Sequence, residues 1–386
     1  MYEILKLNSI SKKIYDVLDD SYHVADDVEA PDAVLVRSAN MAEFDIKDNL
    51  LAVARAGAGV NNIPLPRMTE KGVVVFNTPG ANANAVKELV LCGMLLASRD
   101  VIGGISWANG LAGNGDAVPK MVEKGKSQFG GHEILGKTLG VIGLGAIGAK
   151  IAIAAHALGM EVIGYDPFLS DTVKTLLNGV ATFADSAETV IASADFLTLH
   201  VPLLDSTRAM INRDSIATMK DGAVILNMSR AELVNVPDLK EALASGKIAR
   251  YVVDFPTEDV LNTEHIIAIP HLGASTEEAE DNCAVMAAAQ LKDYLENGNI
   301  RNSVNFPSLQ VERSAEHRMC VIYNAGTDAI ACLRQILDGI NYQIHSVEKK
   351  GVGYAVIDTD VCLGEMDDDL FDRLGALDNI VSIRLI

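Results

Sequence analysis

Three side chains suited to acid–base chemistry follow short apolar runs that predict strands. Arg230 comes after AVILN, Glu258 follows the run that ends at Val253, and His271 follows IIAIP. Because ligands of parallel α/β sheets bind at the carboxyl ends of the strands, we expect the three to converge. A guanidinium can bind a carboxylate through two parallel hydrogen bonds, an imidazole can take a hydroxyl proton, and a carboxylate can fix the imidazole tautomer. Such a set suits hydride removal from a 2-hydroxy acid.

Each of the three also has a simpler explanation that the sequence leaves open. Arg230 could pair with a surface acid. Glu258 lies in an acidic loop with Asp254 and Asp259 and could be a solvated surface residue. His271, between a proline and a leucine at a strand end, could be structural. A catalytic role therefore depends on a cofactor site nearby.

A cofactor motif lies between Lys137 and Asp166. A short apolar strand precedes glycines in G-x-G-x-x-G spacing, and an alanine-rich helix and a second strand follow them. This order of elements allows a tight turn, a close approach of pyrophosphate and close helix–strand packing, while the N–H groups at the helix start bind phosphate. The residues predicted to contact the pyrophosphate are Gly143, Gly145, Ala146, Ile147 and Gly148.

Asp166 bears on the choice of cofactor. It lies 18 residues after Gly148, about where a carboxylate accepts hydrogen bonds from the adenosine ribose. Since a carboxylate would repel a 2′-phosphate, the sequence predicts NAD rather than NADP. His200, beside Pro202 at the end of the run FLTLH, is expected to line the same crevice.

The elements that must position these residues alternate between strands and helices. This alternation predicts an α/β fold with two doubly wound, Rossmann-like parallel-sheet domains. The C-terminal stretch has the order βαββαβ, which predicts a ferredoxin-like module. The predicted domains are a discontinuous substrate-binding domain (1–98 with 276–305), an NAD-binding domain (99–275), a linker (306–315) and a C-terminal regulatory module (316–386).

Four predicted helices matter for these boundaries. Two lie in the first domain, over residues 12–18 and 41–49, and a long apolar helix over 83–98 is expected to cross between domains. The fourth, over 367–374, is the second helix of the C-terminal module.

Composition excludes several classes of protein. The net charge of −20 argues against a nucleic-acid partner. No long uncharged apolar run predicts a membrane span, and the N-terminus lacks the apolar core of a signal peptide. The five cysteines are scattered without metal-binding or redox spacing, which predicts no metal site and fits a reducing cytoplasm.

Several motifs together resemble those of the D-2-hydroxyacid dehydrogenases. Besides the glycine motif they are HVPL (200–203), NMSRAELV (227–234), DFPTE (254–258), PHLGAST (270–276), RAGAGVNNI (55–63) and NTPGANANAVKEL (77–89). With the C-terminal module, the chain is most similar to the branch of the family that oxidises 3-phosphoglycerate at the start of serine biosynthesis. In that branch the module looks like an ACT domain, which often binds amino acids.

The resemblance implies roles for particular residues. Arg230 would bind the substrate carboxylate, with Glu258 and His271 as the acid–base pair. The other implied substrate contacts are Arg37 and Ser38 on the phosphate side, the backbone at Gly57, and Asn82. The other implied cofactor contacts are Met228, Ser229, Asp254 and Gly273.

The sequence departs from the family pattern at several places, two of which bear on the site. The family usually has D-V-F before the catalytic glutamate, whereas here Asp254 is displaced by one position. Phosphoglycerate enzymes often carry a second arginine where Ala39 and Asn40 stand. Lys126 could supply the missing charge to the phosphate, from a partner subunit, or it could be a solvated surface lysine.

Other activities compatible with these motifs are reduction of glyoxylate or hydroxypyruvate, oxidation of D-lactate, and a non-catalytic NAD-sensing scaffold. We expect a homodimer or homotetramer, with residues 99–135 wrapping a partner. An amino acid such as serine could act at the C-terminal module, where Asn341 is the candidate contact.

Overall fold

A computed structural model describes residues 1–361, 377 and 379–386. The chain forms two compact units, one of residues 1–81 and 280–386 and one of residues 82–279. The elements of the first segment are β1 (Tyr2–Leu7), β2 (Tyr22–Ala25), β3 (Ala33–Val36), β4 (Ala52–Arg55), α1 (Leu65–Glu70) and β5 (Val74–Phe76).

The second unit begins with α-helices and continues as alternating strands and helices. Its elements are α2 (Ala83–Ser98), α3 (Val101–Asn109), α4 (Val118–Gly125), β6 (Thr138–Ile142), α5 (Ala146–Ala157), β7 (Glu161–Tyr165), α6 (Asp171–Leu176), β8 (Thr182–Phe183), α7 (Ala187–Ser193), β9 (Phe196–Leu199), α8 (Arg213–Thr218), β10 (Ala223–Asn227), α9 (Val236–Ser245), β11 (Ile248–Val253) and β12 (Ile266–Ala268). The remaining elements are α10 (Glu277–Asn297), β13 (His317–Asn324), α11 (Ala329–Ile336), β14 (Tyr342–Lys349), β15 (Val352–Thr359) and β16 (Ile380–Leu385).

In the first unit, five parallel strands form a doubly wound sheet in the order β2-β1-β3-β4-β5. Every residue of β3 is buried, as expected for a parallel strand covered on both faces. Arg37 follows β3 and Arg55 ends β4, so both arginines lie at the carboxyl edge of this sheet.

The prediction of a helix over 41–49 is wrong, because this segment forms turns. Asn40 accepts the N–H of Ala42 through its side chain (2.9 Å), and Arg67 donates from its guanidinium to the carbonyl oxygens of Ala42 and Phe44. These side chains satisfy backbone groups that a helix would pair within itself. The helix predicted over 12–18 is a short 3₁₀ turn, Lys12–Asp16.

In the second unit, seven parallel strands form a sheet in the order β12-β11-β10-β9-β6-β7-β8. The strand order reverses direction between β6 and β9, which is the switch point where ligands of such sheets bind. The boundary of this unit lies before α2 rather than after it, because Val86, Val90 and Met94 of α2 pack into the same core as the strands.

The C-terminal strands form an antiparallel sheet in the order β14-β15-β13-β16. The helix predicted over 367–374 lies outside the described residues. The sequence predicts residues 316–386 as a separate module, whereas in the structure the described part joins the first unit, since Cys320, Ile322 and Tyr354 share a core with Ile4 and Leu291.

Among the described residues, no single helix has the length and apolar character needed to cross a membrane. Helices α2 and α3 would together pass by length and composition, but the chain bends by 68° between them.

Candidate active site

Close backbone approaches require two glycines of the cofactor motif. Gly143 has φ +93°, and a β-carbon there would lie 2.3 Å from the carbonyl oxygen of His200. At Gly148, a β-carbon would lie 2.0 Å from the carbonyl oxygen of Gly143. These contacts produce the tight turn and the close helix–strand packing that a dinucleotide motif needs.

Gly145 differs from them because the space in front of it is open. It is the N-cap of α5, no side chain caps the helix, and a β-carbon would meet nothing within 4 Å. The first helical hydrogen bond runs from Ala149 to Gly145 (3.0 Å), so the N–H groups of Ala146, Ile147 and Gly148 precede the bonded turn. A pyrophosphate group fits this uncapped helix start.

Asp166 lies at the end of β7 and is fixed beside the glycine turn. Its Oδ2 accepts the N–H of Leu144 (2.9 Å), and its Oδ1 accepts the N–H of Phe168 (2.8 Å). Each carboxylate oxygen can accept a second hydrogen bond. The side chain is therefore held in place and can still bind ribose hydroxyls.

His200 follows β9, with its imidazole turned into the protein. Its Nε2 forms a 2.7 Å hydrogen bond with the hydroxyl of Thr198, and its buried Nδ1 has no partner among the described residues. Burial lowers the pKa of His200 to about 3, so the ring is neutral at physiological pH. Pro202 follows in an exposed loop, where its carbonyl oxygen accepts the hydroxyl of Thr207 (2.7 Å).

Met228 and Ser229 follow β10, but their side chains turn away from open space. The Met228 side chain is buried against α2, where its Cε lies 3.2 Å from the β-carbon position of Gly93. The Ser229 hydroxyl donates to the carbonyl oxygen of Leu199 (2.7 Å). A cofactor contact through the Met228 side chain would require that side chain to leave the core, whereas its backbone needs no such movement.

A buried asparagine, Asn227, holds the backbone of Arg230 in place. The side-chain amide of Asn227 donates to the carbonyl oxygen of Arg230 (2.8 Å) and to the hydroxyl of Tyr251 (3.1 Å). The exposed guanidinium donates through Nη1 to Ser229 (2.7 Å), and its Cζ lies 5.3 Å from the centre of the Phe255 ring. Most of its five N–H groups therefore remain open to a ligand.

His271 contacts the same aromatic ring. The centres of the His271 and Phe255 rings lie 4.4 Å apart with an angle of 44° between their planes. The structure thus brings Arg230 and His271 together on Phe255, a residue that sequence reasoning missed because phenylalanine carries no acid–base chemistry.

Glu258 is not joined to His271 in the described part of the chain. It lies in an exposed 3₁₀ turn, Glu258–Val260, and no hydrogen bond or ion pair links it to the imidazole among the described residues. The predicted acid–base pair is therefore incomplete in this conformation.

The Asp254 carboxylate faces the loop after β12. It accepts the N–H groups of Leu272 (2.7 Å) and Gly273 (2.8 Å), and a β-carbon at Gly273 would lie 2.8 Å from Oδ2. A cofactor contact by Asp254 or Gly273 remains a prediction, while these bonds show what the aspartate does in the fold.

The predicted phosphate contacts Arg37 and Ser38 lie at the carboxyl edge of the first sheet. Arg37 pairs with Glu280 (2.7 Å), and its carbonyl oxygen accepts Nε of Arg55 (3.0 Å). Ser38 is exposed, and its N–H donates to the side chain of Asn8 (3.2 Å). The sequence analysis included Arg55 in the motif RAGAGVNNI (55–63) but gave it no role of its own.

Gly57 and Asn82 are the remaining predicted substrate contacts. Gly57 has φ +156°, and Nη1 of Arg55 lies 2.7 Å from its β-carbon position. Asn82 precedes α2, and its buried Oδ1 has no partner among the described residues. Arg55 and Gly57 form a basic corner of the first unit that suits an anion.

Lys126 follows α4 and is exposed, with its ammonium 2.5 Å from the carboxylate of Glu123. Nothing in the described residues links it to the other predicted contacts. No group of three or more His, Cys, Asp or Glu side chains that could hold a metal ion occurs in the described part of the chain.

Comparison with known proteins gives a consistent family. The profile of the D-isomer specific 2-hydroxyacid dehydrogenase NAD-binding domain matches residues 106–273. Methanocaldococcus jannaschii D-3-phosphoglycerate dehydrogenase is 36% identical over 81% of this chain, although the match spans only 58% of that protein. Thermotoga maritima hydroxypyruvate reductase is 38% identical over 64% of this chain and 80% of its own length.

A solved structure has the same fold. It is the NAD⁺-bound 3-phosphoglycerate dehydrogenase of Entamoeba histolytica, which is 25% identical to this chain. The superposition covers 80% of this chain and 99% of that one, with a TM-score of 0.61.

Proposed function

Because this chain belongs to the D-isomer specific 2-hydroxyacid dehydrogenase family, we propose that it oxidises 3-phosphoglycerate to 3-phosphohydroxypyruvate with NAD. Arg230 and His271 carry the proposal, since both contact Phe255 at the carboxyl edge of the sheet that bears the glycine turn. A guanidinium and an imidazole held together in this way can bind a carboxylate and move the proton of the neighbouring hydroxyl.

NAD would be held by this chain through the residues around α5. The open helix start at Gly145 receives the pyrophosphate, and Asp166 receives the ribose hydroxyls. When bound, the nicotinamide supplies the carbon that accepts hydride from the substrate.

In the forward reaction, Arg230 binds the substrate carboxylate through its free N–H groups, which fixes C2. His271 takes the proton of the C2 hydroxyl as the carbonyl forms, and in the reverse direction it returns that proton. Glu258 orients the imidazole for this transfer once the exposed turn that carries it has moved toward His271.

For the phosphate we propose Arg37, Ser38 and Arg55. The Glu280 carboxylate would leave Arg37 when the doubly charged phosphate arrives, because the pair is partly exposed and weak. Lys126 of a partner subunit completes this charge.

Reduction of hydroxypyruvate is the second candidate, and the Thermotoga relative favours it. That substrate lacks the phosphate, so it would use Arg230 and His271 without the basic corner at Arg55.

For the C-terminal sheet we propose a ferredoxin-like, ACT-like module, supported by the strand order and by α11 between β13 and β14. An amino acid such as serine would bind there, with Asn341, which now donates to Asp360, as one contact. Serine added during turnover should lower the initial rate, and a flat response up to millimolar serine would contradict this role.

We also propose that copies of the chain associate through α3. Val101, Ile102 and Ile105 of this helix are more than two-fifths exposed, and none of its residues is buried. An apolar helix of this kind is typical of an interface. Light scattering of the Ile105→Glu variant, compared with the wild type, tests the proposal.

The deciding experiment measures NADH production with 3-phosphoglycerate and with D-glycerate at alkaline pH, where the released proton is removed. We expect kcat/KM to be higher for the phosphorylated acid, and His271→Gln to lower it by about 10²–10⁴-fold. His156→Gln, on the exposed face of α5, is the matched control. A preference for the unphosphorylated acid would favour the second candidate, and no turnover of any 2-hydroxy acid would favour an NAD-sensing scaffold.

A further inference from the structure

The backbone at His271 has an uncommon conformation. Its φ of +54° lies in the left-handed region, which few residues other than glycine adopt, although asparagine, aspartate and histidine occur there more often than the rest. The residue also follows Pro270, and its N–H donates to the carbonyl oxygen of Ile269 (3.0 Å). Such a conformation persists only where the surroundings fix it.

Asp254 supplies that constraint. Its Oδ1 and Oδ2 accept the N–H groups of Leu272 (2.7 Å) and Gly273 (2.8 Å), which are the two residues after His271. The aspartate is 1% exposed, and its own N–H donates to Asn227 (3.1 Å), the residue that also holds Arg230. Burial raises the pKa of Asp254, while the two backbone hydrogen bonds favour its charged form.

Phe255 is the next residue along the chain, and its ring contacts both functional side chains. The Arg230 guanidinium lies over the ring at 5.3 Å from its centre, and the His271 imidazole packs against it at 4.4 Å. One rigid, half-buried ring therefore limits the directions that both side chains can take.

We propose that Asp254 and Phe255 are positioning residues. Asp254 fixes the left-handed turn that aims the imidazole, and Phe255 sets the separation between the imidazole of His271 and the guanidinium of Arg230. This inference rests on the proposed function, in which Arg230 binds the carboxylate and His271 moves the proton. The aspartate then acts through the backbone of the loop, and no contact with the cofactor is required of it.

Phe255→Leu and Phe255→Tyr form a matched pair, because both remain apolar in bulk and only tyrosine keeps the ring. Misplacement of a catalytic group by about 1 Å can cost roughly 10²-fold in rate, so we expect leucine to lower kcat by about 10- to 100-fold. The substrate KM should rise as well, since Arg230 loses its support. Tyrosine should restore both values, and a tyrosine variant as impaired as the leucine variant would overturn the role of the ring.

Asp254→Asn keeps the size of the side chain but turns an N–H donor toward one of the two loop N–H groups. We expect a lower kcat with unchanged NADH affinity, measured by NADH fluorescence titration. Weaker NADH binding with an unchanged kcat would instead make Asp254 a cofactor contact and overturn this part of the proposal. Thermal unfolding monitored by circular dichroism establishes that the variant is folded, and the Phe255 pair tests the proposal if it is not.

A readout without turnover separates this proposal from the proposed function. In protein labelled with ¹⁵N-histidine, the ring of Phe255 shifts the imidazole resonances of His271, which His271→Gln identifies. We expect Phe255→Leu to move these resonances and Phe255→Tyr to leave them near the wild-type positions. If the wild type oxidises no 2-hydroxy acid while this pattern holds, the function is wrong and the positioning is right; unmoved resonances in Phe255→Leu would overturn the positioning.

Discussion

Two arginines in different regions of the molecule show how polar residues of this chain divide between fold and function. Arg318 of β13 is buried, and its guanidinium forms paired hydrogen bonds with Asp358 (2.6 and 2.8 Å) and further bonds to the carbonyl oxygens of Asn297 (2.7 Å) and Val311 (3.0 Å). Arg230 is exposed after β10, and in the described residues its guanidinium makes one hydrogen bond, to Ser229.

The two arginines differ in how many of their N–H donors are already hydrogen-bonded within the protein. The N–H donors of Arg318 form hydrogen bonds with the C-terminal end of α10 and with one carboxylate. Removing the side chain therefore leaves buried groups without partners. Arg230 is aimed by its backbone and by an aromatic ring, with its donors left for a ligand. The comparison predicts that loss of one arginine affects stability and loss of the other affects turnover.

The largest effect is expected for Arg318→Met. Breaking a buried ion pair by removing one partner costs about 3–5 kcal/mol in the free energy of unfolding, because Asp358 is left buried and unpaired. Urea unfolding measures this loss, and kcat of the molecules that remain folded should not change. The double variant with Asp358→Leu should recover most of the stability. A double variant as unstable as the single one would show that the pair is not the source of the effect.

Arg230→Met tests the other side of the comparison. Losing a charged donor to the substrate is expected to cost about 10²–10³-fold in kcat/KM, as when one oxyanion donor is removed. The free energy of unfolding should change by no more than about 0.5 kcal/mol, since the side chain is exposed. Arg213→Met, which removes an exposed arginine paired with Glu241, is the control and should leave both quantities unchanged. A stability loss as large as that of Arg318→Met would erase the distinction.

The same distinction explains what the sequence could predict. The unit β6–α5–β7 is local in sequence, because its strand, glycine turn and helix follow one another, and the second strand predicted before Asp166 agrees with β7. Ligands bind at the carboxyl ends of parallel strands, and this rule predicted that Arg230 and His271 lie at the same edge of the sheet. Both predictions depend on periodicity and turn chemistry, which a single sequence displays.

What the sequence could not predict depends on bonds between distant side chains and backbone. The turns over 41–49 exist because Arg67, more than twenty residues away, satisfies their carbonyl oxygens. Asp254 was interpreted as a cofactor contact, and its bonds to Leu272 and Gly273 join the loops that follow two neighbouring strands, β11 and β12. Phe255 has no chemical signal at all, since its importance arises only from what it touches.

Two histidines, one exposed and one turned inward, differ in the same way, and the inward one makes the stability of the protein depend on pH. His271 is exposed, whereas His200 is turned inward, and burial lowers the pKa of His200 from 6.5 to about 3. Below pH 6.5, His200 binds a proton in the unfolded chain but not in the folded protein. The free energy of unfolding therefore decreases as the pH is lowered, by up to about 1.4 kcal/mol per pH unit. Between pH 6.5 and 5 this histidine should account for a loss of about 1.6 kcal/mol in the free energy of unfolding. His200→Gln should remove that part of the slope, and parallel pH profiles for variant and wild type would show that His200 titrates normally.

The smallest effect is expected at Asp166. Each of its carboxylate oxygens accepts one backbone N–H and can accept a second hydrogen bond from a ribose hydroxyl. Two like charges about 4 Å apart repel by about 1 kcal/mol in water, so Asp166→Ala should improve NADP relative to NAD by roughly five- to tenfold. NAD should also bind more weakly, because the N–H of Leu144 loses its acceptor beside the glycine turn. Asp171→Ala removes the same charge from an exposed position at the start of α6 and should leave the ratio of the two affinities unchanged. Fluorescence titration with NADH and NADPH gives that ratio without turnover. An unchanged ratio in Asp166→Ala would mean that this carboxylate serves the turn alone, as Arg318 serves its fold.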